Sequence, residues 1–370
     1  MTNEGKEFFF SHLFAIVYAG ANADRSRRAG GARMEARMVH FAQLSAPRGL
    51  GLLLCCAGLA GAARAQDAAT VYGYLDLGLV RESGAGARLD RGLNNWLGVR
   101  GVEGLDGDLA ATFNVQMRFD PDTGMQERAS TLFQGETTVG LRSKTLGGLR
   151  LGRALSPLWQ EKWRYDPWYD SGFMGSLESY NGDFDSDGLP SADFHNYSRV
   201  GNGVFYASPG LGGVRFFGMA ELEAPAAGQP VERARGAALT YADGAATAML
   251  SYERNHVADS IVYLAGSYRI DQLTVLGAYS RSRLVLSGGE RRSALLAGTY
   301  ALGAQLLRFG YGRLRESGQH KASVGLSHAL SKRTNIYADL YREKMAATGN
   351  GGASDGMALN GVALGINHAF

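Results

Sequence analysis

The sequence predicts an all-β chain that closes into a transmembrane antiparallel β-barrel. Three observations favour this fold class: segments of about ten residues with apolar side chains at every second position, tight turns that alternate with longer connections, and a last residue, Phe370, that is aromatic. Alternation with period two puts Leu364, Ile366 and Phe370 on one face of the final strand. Such a face can contact lipid only if both strand edges are paired, and a closed barrel pairs every edge.

Sixteen segments fit the pattern. In chain order they run approximately over residues 70–80, 93–103, 109–119, 133–143, 149–155, 197–207, 213–222, 235–242, 245–254, 260–269, 272–282, 290–301, 304–315, 320–329, 334–343 and 357–370. The predicted barrel therefore has 16 strands. An even number brings both chain ends to the same side of the membrane.

The connections alternate in length. Tight turns are predicted at 104–108, 144–148, 208–212, 243–244, 271, 303 and 331–333. Asp243-Gly244 is a strong hairpin signal, because Asp and Gly tolerate the positive φ angles of a two-residue turn. Short turns toward the periplasm and longer loops outward are typical of outer-membrane barrels.

Composition narrows the protein class. The chain of 370 residues has 52 glycines and 10% aromatic residues, which suits a β protein. No segment in its body reaches the roughly 18 uninterrupted apolar residues of a spanning helix. A soluble β-sandwich is the alternative, since it shares strand lengths and turn chemistry. It would not explain a secretory signal or aromatic residues that recur near strand ends.

The first 65 residues are predicted to be separate from the barrel. Arg48 precedes an apolar run over residues 49–60, and Ala63-Arg64-Ala65 supplies small residues for cleavage after Ala65. We assign 1–37 to an upstream tail, 38–65 to a signal peptide and 66–370 to the barrel. A cytoplasmic extension is the alternative for the tail.

Processing changes the cysteine count and the charge. Both cysteines, Cys55 and Cys56, lie in the apolar run, so the mature chain would have none. Residues 1–65 hold 8 of the 38 basic and 4 of the 35 acidic residues, which leaves 30 basic against 31 acidic. A balance this even gives no support for a nucleic-acid partner. Without phosphate-binding loops or paired Cys/His spacings, no cofactor is expected.

Five stretches carry a family resemblance. They are residues 71–76 (VYGYLD), 97–103 (LGVRGVE), 151–153 (LGR), 202–211 with YASP at 206–209, and 365–370 (GINHAF). In this order and spacing they resemble the Gram-negative general porin family of the β-proteobacterial type. The chain departs from the family pattern at Gly104, where an acid is usual, and its mature length is short.

The resemblance implies an outer-membrane homotrimer of barrels, each with its third loop folded into the lumen. It implies passive diffusion of small hydrophilic solutes and ions. The partners it implies are those solutes, outer-membrane lipid and the barrel assembly machinery, which would read the C-terminal strand that ends at Phe370. In this setting Phe370 is the predicted closure and assembly signal.

The third outer connection is the longest and runs from about residue 156 to 196. A loop of this length is expected to have a function. It is acidic, and its candidate constriction residues are Glu178, Asp183, Asp185 and Asp187. Carboxylates that lie in a lumen need positive charge opposite them.

Alternation supplies that charge. With the apolar neighbours facing lipid, four arginines on consecutive strands face the lumen: Arg100, Arg118, Arg142 and Arg150. Their heights differ, so not all can lie in one ring. Arg153 is turned outward by parity unless its strand has already ended. The predicted mechanism is a constriction with carboxylates on one side and permanent guanidinium charges on the other. The alternative is that these arginines only solvate the wall or pin the loop.

Three other interpretations stay open. Asp183, Asp185 and Asp187 match the start of a calcium-binding loop, but Phe194 stands where the bidentate glutamate is expected, so calcium is a weak possibility. Tryptophans and tyrosines at the start of the loop are compatible with a sugar-selective channel, or with packing. A barrel enzyme would use His256 or His320 with Ser260 or Ser323, but no nucleophile motif accompanies them.

Overall fold

The computed structural model describes residues 68–92, 95–128, 131–169, 173–186, 198–223, 232–346 and 356–370. The predicted tail and signal peptide lie outside these residues. The strands are β1 (Ala68–Glu82), β2 (Arg88–Arg91), β3 (Asn95–Gly104), β4 (Leu109–Phe119), β5 (Thr137–Ser143), β6 (Gly147–Leu155), β7 (Arg199–Ala207), β8 (Val214–Glu221), β9 (Arg235–Asp243), β10 (Ala246–Arg254), β11 (Ser260–Ile270), β12 (Leu273–Leu284), β13 (Gly289–Leu302), β14 (Gln305–Leu314), β15 (His320–Ala329), β16 (Thr334–Lys344) and β17 (Ala358–Ala369). Between β6 and β7 lie helix α1 (Pro157–Lys162) and three 3₁₀ turns, η1 (Trp163–Tyr165), η2 (Phe173–Gly175) and η3 (Glu178–Tyr180).

The strands form one closed antiparallel sheet. Consecutive strands from β3 to β17 pair with one another, and β1 pairs with β17. The long β1 pairs through its first half with β3 and through its second half with β2. Since β2 and β3 are two parts of one strand position, the barrel has the 16 strands that the sequence predicts.

The last residue closes the barrel. The amide of Phe370 donates to the carbonyl of Gly73 at 3.1 Å, and the amide of Gly73 donates to the carbonyl of Phe370 at 3.1 Å. A side chain at Gly73 would collide with the Phe370 ring. We call the pairing of β1 with β17, including this contact, the seam.

The two faces of the sheet have opposite polarity. Apolar side chains are exposed on the outside, with Val139 60% and Leu296 65% exposed. Polar side chains such as Asp76, Asn114 and Ser280 are buried inside. Apolar outside and polar inside is the arrangement that lipid outside and water inside require.

The turns confirm the hairpin predictions. Gly244 has a φ of +52°, Gly303 of +61° and Asp271 of +51°, each between two paired strands. The predicted strand over residues 133–143 begins only at Thr137. No helix among the described residues is long and apolar enough to cross a membrane.

Candidate functional site

The third connection begins with a short helix that packs against the strands. Ser156 caps α1, because its hydroxyl accepts a hydrogen bond from the amide of Trp159 at 3.4 Å, and Pro157 follows at the first helical position. Helix α1 contacts β6, β8, β9 and β10. The amide of Leu158 donates to Glu253 Oε1 on β10 at 2.6 Å. The start of the loop is therefore fastened to this part of the wall.

A buried tryptophan fixes the middle of the loop to the opposite strands. Trp168 is fully buried, and its Nε1 donates to Asp339 Oδ1 on β16 at 2.8 Å. Asp166 braces this turn, since it accepts hydrogen bonds from Ser176 Oγ at 2.7 Å and from the amide of Leu177 at 2.8 Å. The loop reaches across to strands far from the point where it leaves the barrel.

Two glycines of β14 make room for turn η3. A side chain at Gly312 would collide with Tyr180, and one at Gly310 would lie 2.5 Å from Leu177 Cδ1. The Tyr180 hydroxyl donates to Glu343 Oε1 on β16 at 2.6 Å. The loop thus lies directly on the backbone of β14, on the side where Leu295 and Ala297 of β13 are buried beside Leu177.

The four predicted arginines lie where alternation puts them, but at different levels. The guanidinium of Arg100 lies 4.9 Å from the centre of the Tyr72 ring, and Arg118 is 1% exposed. Arg150 donates to Glu136 Oε1 at 2.6 Å and to Gln160 Oε1 of α1 at 2.9 Å. Arg142 is half-buried and is the second-last residue of β5, next to the short turn that leads to β6.

Register gives the spread of these arginines along the barrel. Strand β4 serves as a common scale: Arg118 lies on it, Arg100 of β3 pairs with its Asn114, and Arg142 of β5 pairs with its Ala110. Arg118 and Arg142 are therefore eight residues apart along the strand direction. Eight residues of strand span about 27 Å. The four side chains therefore do not form one ring. Arg118 and Arg150 are each held by a carboxylate, Glu127 and Glu136 respectively.

Sequence reasoning missed the group that surrounds Arg118. Glu127, in the loop after β4, pairs with Arg118 at 2.7 Å and with Arg91 at 2.8 Å. Arg128, Arg153 and the fully buried Arg199 lie within electrostatic range of this group. We call Arg91, Arg118, Arg128, Arg153 and Arg199 the arginine cluster.

Glu127 lies among these positive charges. Burial by itself would raise its pKa, but Arg118 and Arg91 outweigh burial and hold the pKa below its usual value. Arg91 has Asp120 as a second partner at 3.1 Å. The cluster thus brings five guanidinium groups together with two nearby carboxylates.

A β-bulge explains why parity failed for Arg153. The register between β6 and β7 shifts between Gly152 and Ala154, and Gly152 has a φ of +128°. A bulge re-aims the side chains beside it. Arg153 Nε consequently donates to the carbonyl of Gln134 at 3.3 Å. The one sequence signal was Gly152 itself, because a glycine inside a strand often marks a bulge.

The loop acids do not act as one group. Asp183 pairs with Arg291 of β13 at 2.8 Å, so it is not brought against the four predicted arginines. Glu178 is half-buried as a whole residue, but one oxygen of its carboxyl group is fully buried. This burial raises the pKa of Glu178 well above its usual value, and the positive charge of Lys162 opposes the rise only in part. Asp185 is half-buried. Asp187 lies outside the described residues.

Lys162 is the buried cation of the loop. Its Nζ donates to the carbonyl of Gly182 at 2.8 Å and lies 3.2 Å from the centre of the Trp159 ring. Burial lowers the pKa of Lys162 to about 8. Lys162, Glu178 and Arg118 are electrostatically coupled, which connects the loop to the arginine cluster.

The five aromatic residues at the start of the loop divide into two sets. Trp159, Tyr165 and Trp168 are buried and pack the loop against the wall. Trp163 and Tyr169 are half-buried, and their ring centres lie 4.7 Å apart. Packing is therefore the role of the first set, and of these five rings the second set remains accessible to a solute.

Two weaker interpretations can be compared with the structure. Among the described residues no three His, Cys, Asp or Glu side chains are grouped to hold a metal ion, and the calcium interpretation also involves Asp187, which is not described. His320 and Ser323 are three residues apart on β15, so they face opposite sides of the strand. The His320 ring contacts the carbonyl of Gly318 at 2.9 Å.

Comparison with known proteins agrees with the barrel. The sequence model of the Gram-negative porin family matches residues 51–347. Outer membrane porin protein 32 of Delftia acidovorans is 29% identical over 362 residues, covering 86% of this chain and 99% of that protein. An outer membrane porin protein of Bordetella pertussis is 24% identical over 360 residues, covering 76% of this chain and 90% of that protein.

Solved structures show the same fold. An anion-selective porin from Comamonas acidovorans is 24% identical, with a TM-score of 0.68 over 82% of this chain and 100% of that chain. The trimer form of OmpT from Vibrio cholerae is 12% identical, with a TM-score of 0.57 over 82% of this chain and 99% of that chain. The family match covers most of the chain. This chain therefore belongs to the Gram-negative porin family, as an outer-membrane β-barrel that forms a channel for diffusion.

Proposed function

We propose that this porin favours small anions and that its constriction lies between the third loop and the arginine cluster. The observation that carries the proposal is the gathering of Arg91, Arg118, Arg128, Arg153 and Arg199 around the carboxylate of Glu127. A pore selects ions by the field at its narrowest point, and fixed guanidinium charge there attracts anions.

Two described acids of the third loop add little negative charge. Asp183 is neutralised by Arg291, and the raised pKa of Glu178 favours its protonated form. The predicted balance between loop carboxylates and arginines is thereby displaced toward positive charge. Arg100, Arg142 and Arg150 line the wall at other levels and would extend the basic path beyond the constriction.

The anion-selective relative from Comamonas acidovorans is compatible with this proposal, although its likeness establishes the fold alone. The argument for anions here depends on the residues of this chain. Lys162 strengthens it, because its ammonium group adds a positive charge to the loop beside Glu178.

The test is single-channel recording in a planar bilayer with a KCl gradient. We expect stepwise conductance and a reversal potential that reports chloride permeating faster than potassium. Arg153→Ser, which removes one guanidinium of the cluster and leaves the Glu127 ion pairs in place, should lower this preference. A cation preference in the unmodified protein would contradict the proposal.

A sugar-selective channel is the second candidate, supported by the pair formed by Trp163 and Tyr169. Sugars bind to the faces of accessible aromatic rings. Swelling of vesicles that contain the protein, measured with maltose and with an amino acid of similar size, separates the candidates. Faster entry of maltose that Trp163→Ala abolishes would favour the sugar channel.

We further infer a homotrimer, in line with the trimer form of OmpT among the structural neighbours. Recognition of the C-terminal strand by the barrel assembly machinery is part of the same proposal, with Phe370 as its terminal contact. Conductance steps that appear in groups of three, and a trimer band on unheated gels, would support the assembly. A protein that runs only as a monomer without heating would contradict it.

A further inference from the structure

A groove of about 950 Å³ opens on the lipid-facing side of the barrel, next to the seam. Its floor contains three exposed apolar side chains: Val324 of β15, Leu340 of β16 and Val362 of β17. The loop after β1, at residues 83–85, borders one side of it. Ala322 of β15, which pairs with Arg342 of β16, also lines it. We call this feature the rim groove.

Two arginines flank the rim groove. Arg81 lies one residue before the end of β1, and Arg342 lies two residues before the end of β16. Both side chains are exposed, and Arg81 pairs in register with Val362 while Arg342 pairs with Asn360. One strand, β17, separates them, so two interstrand spacings of together about 10 Å lie between their backbones.

Both arginines lack a carboxylate partner within the described part of the chain. No ion pair joins Arg81 or Arg342 to any described Asp or Glu, and the neighbouring Glu82 is taken by Arg88 and by the Tyr341 hydroxyl. Two other outward arginines at this end are neutralised: Arg254 pairs with Glu232 at 2.5 Å, and Arg292 pairs with Glu316 at 2.6 Å. The rim groove therefore has a positive charge that the described residues do not balance.

The position of the groove selects the ligand. Both arginines lie at the end of the barrel with the longer loops, which in outer-membrane barrels faces outward. Cations at the edge of an apolar band lie at the depth of lipid headgroups, where they attract anionic lipid. Below them the apolar floor continues toward the middle of the band, where acyl chains lie.

We propose that the rim groove binds an anionic lipid of the outer leaflet, with the lipid phosphate between Arg81 and Arg342 and an acyl chain along Val324, Leu340 and Val362. Arginine suits this role because its planar fork matches phosphate oxygens. The lipid would lie against the strands that close the barrel. This assignment is independent of the ion preference of the pore.

The test is native mass spectrometry of the detergent-purified full-length mature barrel, titrated with bis-phosphorylated lipid A. Dephosphorylated lipid A and phosphatidylcholine serve as matched probes. We expect saturable binding of bis-phosphorylated lipid A and at least about tenfold weaker binding to the Arg81→Ser/Arg342→Ser variant. Arg313→Ser is the matched control, since Arg313 is exposed at the same end of β14 but lies outside the groove.

A second variant tests the apolar part. Ala322→Trp fills the floor of the rim groove and leaves both arginines, so it should also weaken binding. Heat-modifiable migration and single-channel conductance, both expected to be unchanged, check that each variant is folded. Equal loss in the Arg313→Ser control, or equal binding of dephosphorylated lipid A, would overturn the proposal. Loss of the oligomer in the double variant, with lipid binding retained, would assign the groove to contact with a second copy and would also overturn it.

Discussion

At the scale of single residues, the balance of charge inside the barrel depends on Glu127. Its carboxylate accepts from Arg118 at 3.2 Å and pairs with Arg91 at 2.8 Å, and it is largely enclosed. Removing one partner of a buried charge pair is costly, because the remaining charge keeps its desolvation penalty. Glu127 therefore serves two purposes: it stabilises the arginines, and it reduces the positive field of the cluster.

Replacing Glu127 by Gln should make the pore more anion-selective and the barrel less stable. The amide keeps an oxygen acceptor but carries no charge, so two guanidinium groups lose their counter-charge at a cost of about 3 kcal/mol. The reversal potential in a KCl gradient and the urea midpoint in lipid vesicles measure both effects. Asp90→Asn is the control, because it removes an exposed carboxylate of the Arg88 pair. An unchanged reversal potential for Glu127→Gln would contradict the role of the cluster.

Lys162 should make selectivity depend on pH. Burial lowers its pKa from 10.5 to about 8, so its charge is lost as the pH rises through about 8. Anion preference should therefore fall between pH 7 and 9, and Lys162→Met should remove that fall. The same shift affects stability. Between pH 8 and 10.5 the unfolded chain binds more protons at Lys162 than the folded chain does, so the free energy of unfolding should rise with pH across that window.

The control for this pH dependence is Lys144→Met, since Lys144 is exposed in the turn after β5, at the other end of β6 from the loop. This variant should keep the fall in anion preference between pH 7 and 9. Recording at several ionic strengths would separate Lys162 from surface charge, because salt screens exposed charges more than buried ones. A pH profile that is the same in the Lys162→Met variant would exclude this lysine as the titrating group.

The sequence could predict which residues face inward but not how they are grouped. Period-two alternation predicts that Arg100, Arg118 and Arg150 face inward, because it depends only on strand geometry. It failed at Arg153, where a bulge shifts the register, and it gave no information on Arg128, which belongs to a loop. Grouping depends on loop conformation, and local sequence pattern does not encode it.

At the scale of elements, the strands were predictable and the third loop was not. All strand positions follow from apolar alternation and turn residues, and most boundaries agree within two residues. The loop instead depends on individual long-range contacts, such as the hydrogen bond from Trp168 to Asp339, 171 residues away. The predicted opposition of Asp183 to the arginine wall could not foresee its pairing with Arg291, because the path of the loop decides it.

Gly312→Val should displace the loop. Its side chain would enter the space of Tyr180, and overpacking of this kind costs about 1–3 kcal/mol. Turn η3 would move away from β14, and we expect a changed single-channel conductance together with faster cleavage of the loop by protease. Gly277→Val is the control, since that glycine of β12 meets only a carbonyl oxygen, at 3.5 Å. Equal cleavage rates for the two variants would show that β14 does not support the loop.

At the scale of the whole molecule, the barrel depends on a single seam. Register runs from Tyr74 with Ala369 to Glu82 with Gly361, and the terminal residue adds two further backbone hydrogen bonds to Gly73. Sequence alone predicted this closure, because an apolar strand in lipid cannot leave an edge unpaired. The alternating exposure of Val362, Leu364 and Ile366 continues across the seam to Leu75 and Leu79 of β1.

Deleting Phe370 should slow closure of the barrel more than it lowers the stability of the closed form. The deletion removes the last two hydrogen bonds of the seam and the ring over Gly73, while the nine register pairs between β1 and β17 remain. A folding time course in lipid vesicles, followed by heat-modifiable migration on gels, measures the rate, and the urea midpoint measures stability. Phe370→Tyr keeps the ring and the backbone bonds, so it should fold at the original rate. If deletion leaves the rate unchanged in vesicles but reduces the amount of barrel assembled in cells, Phe370 acts through recognition by the assembly machinery. If neither the folding rate in vesicles nor the amount of barrel assembled in cells changes, the terminal residue is not the closing contact of this barrel.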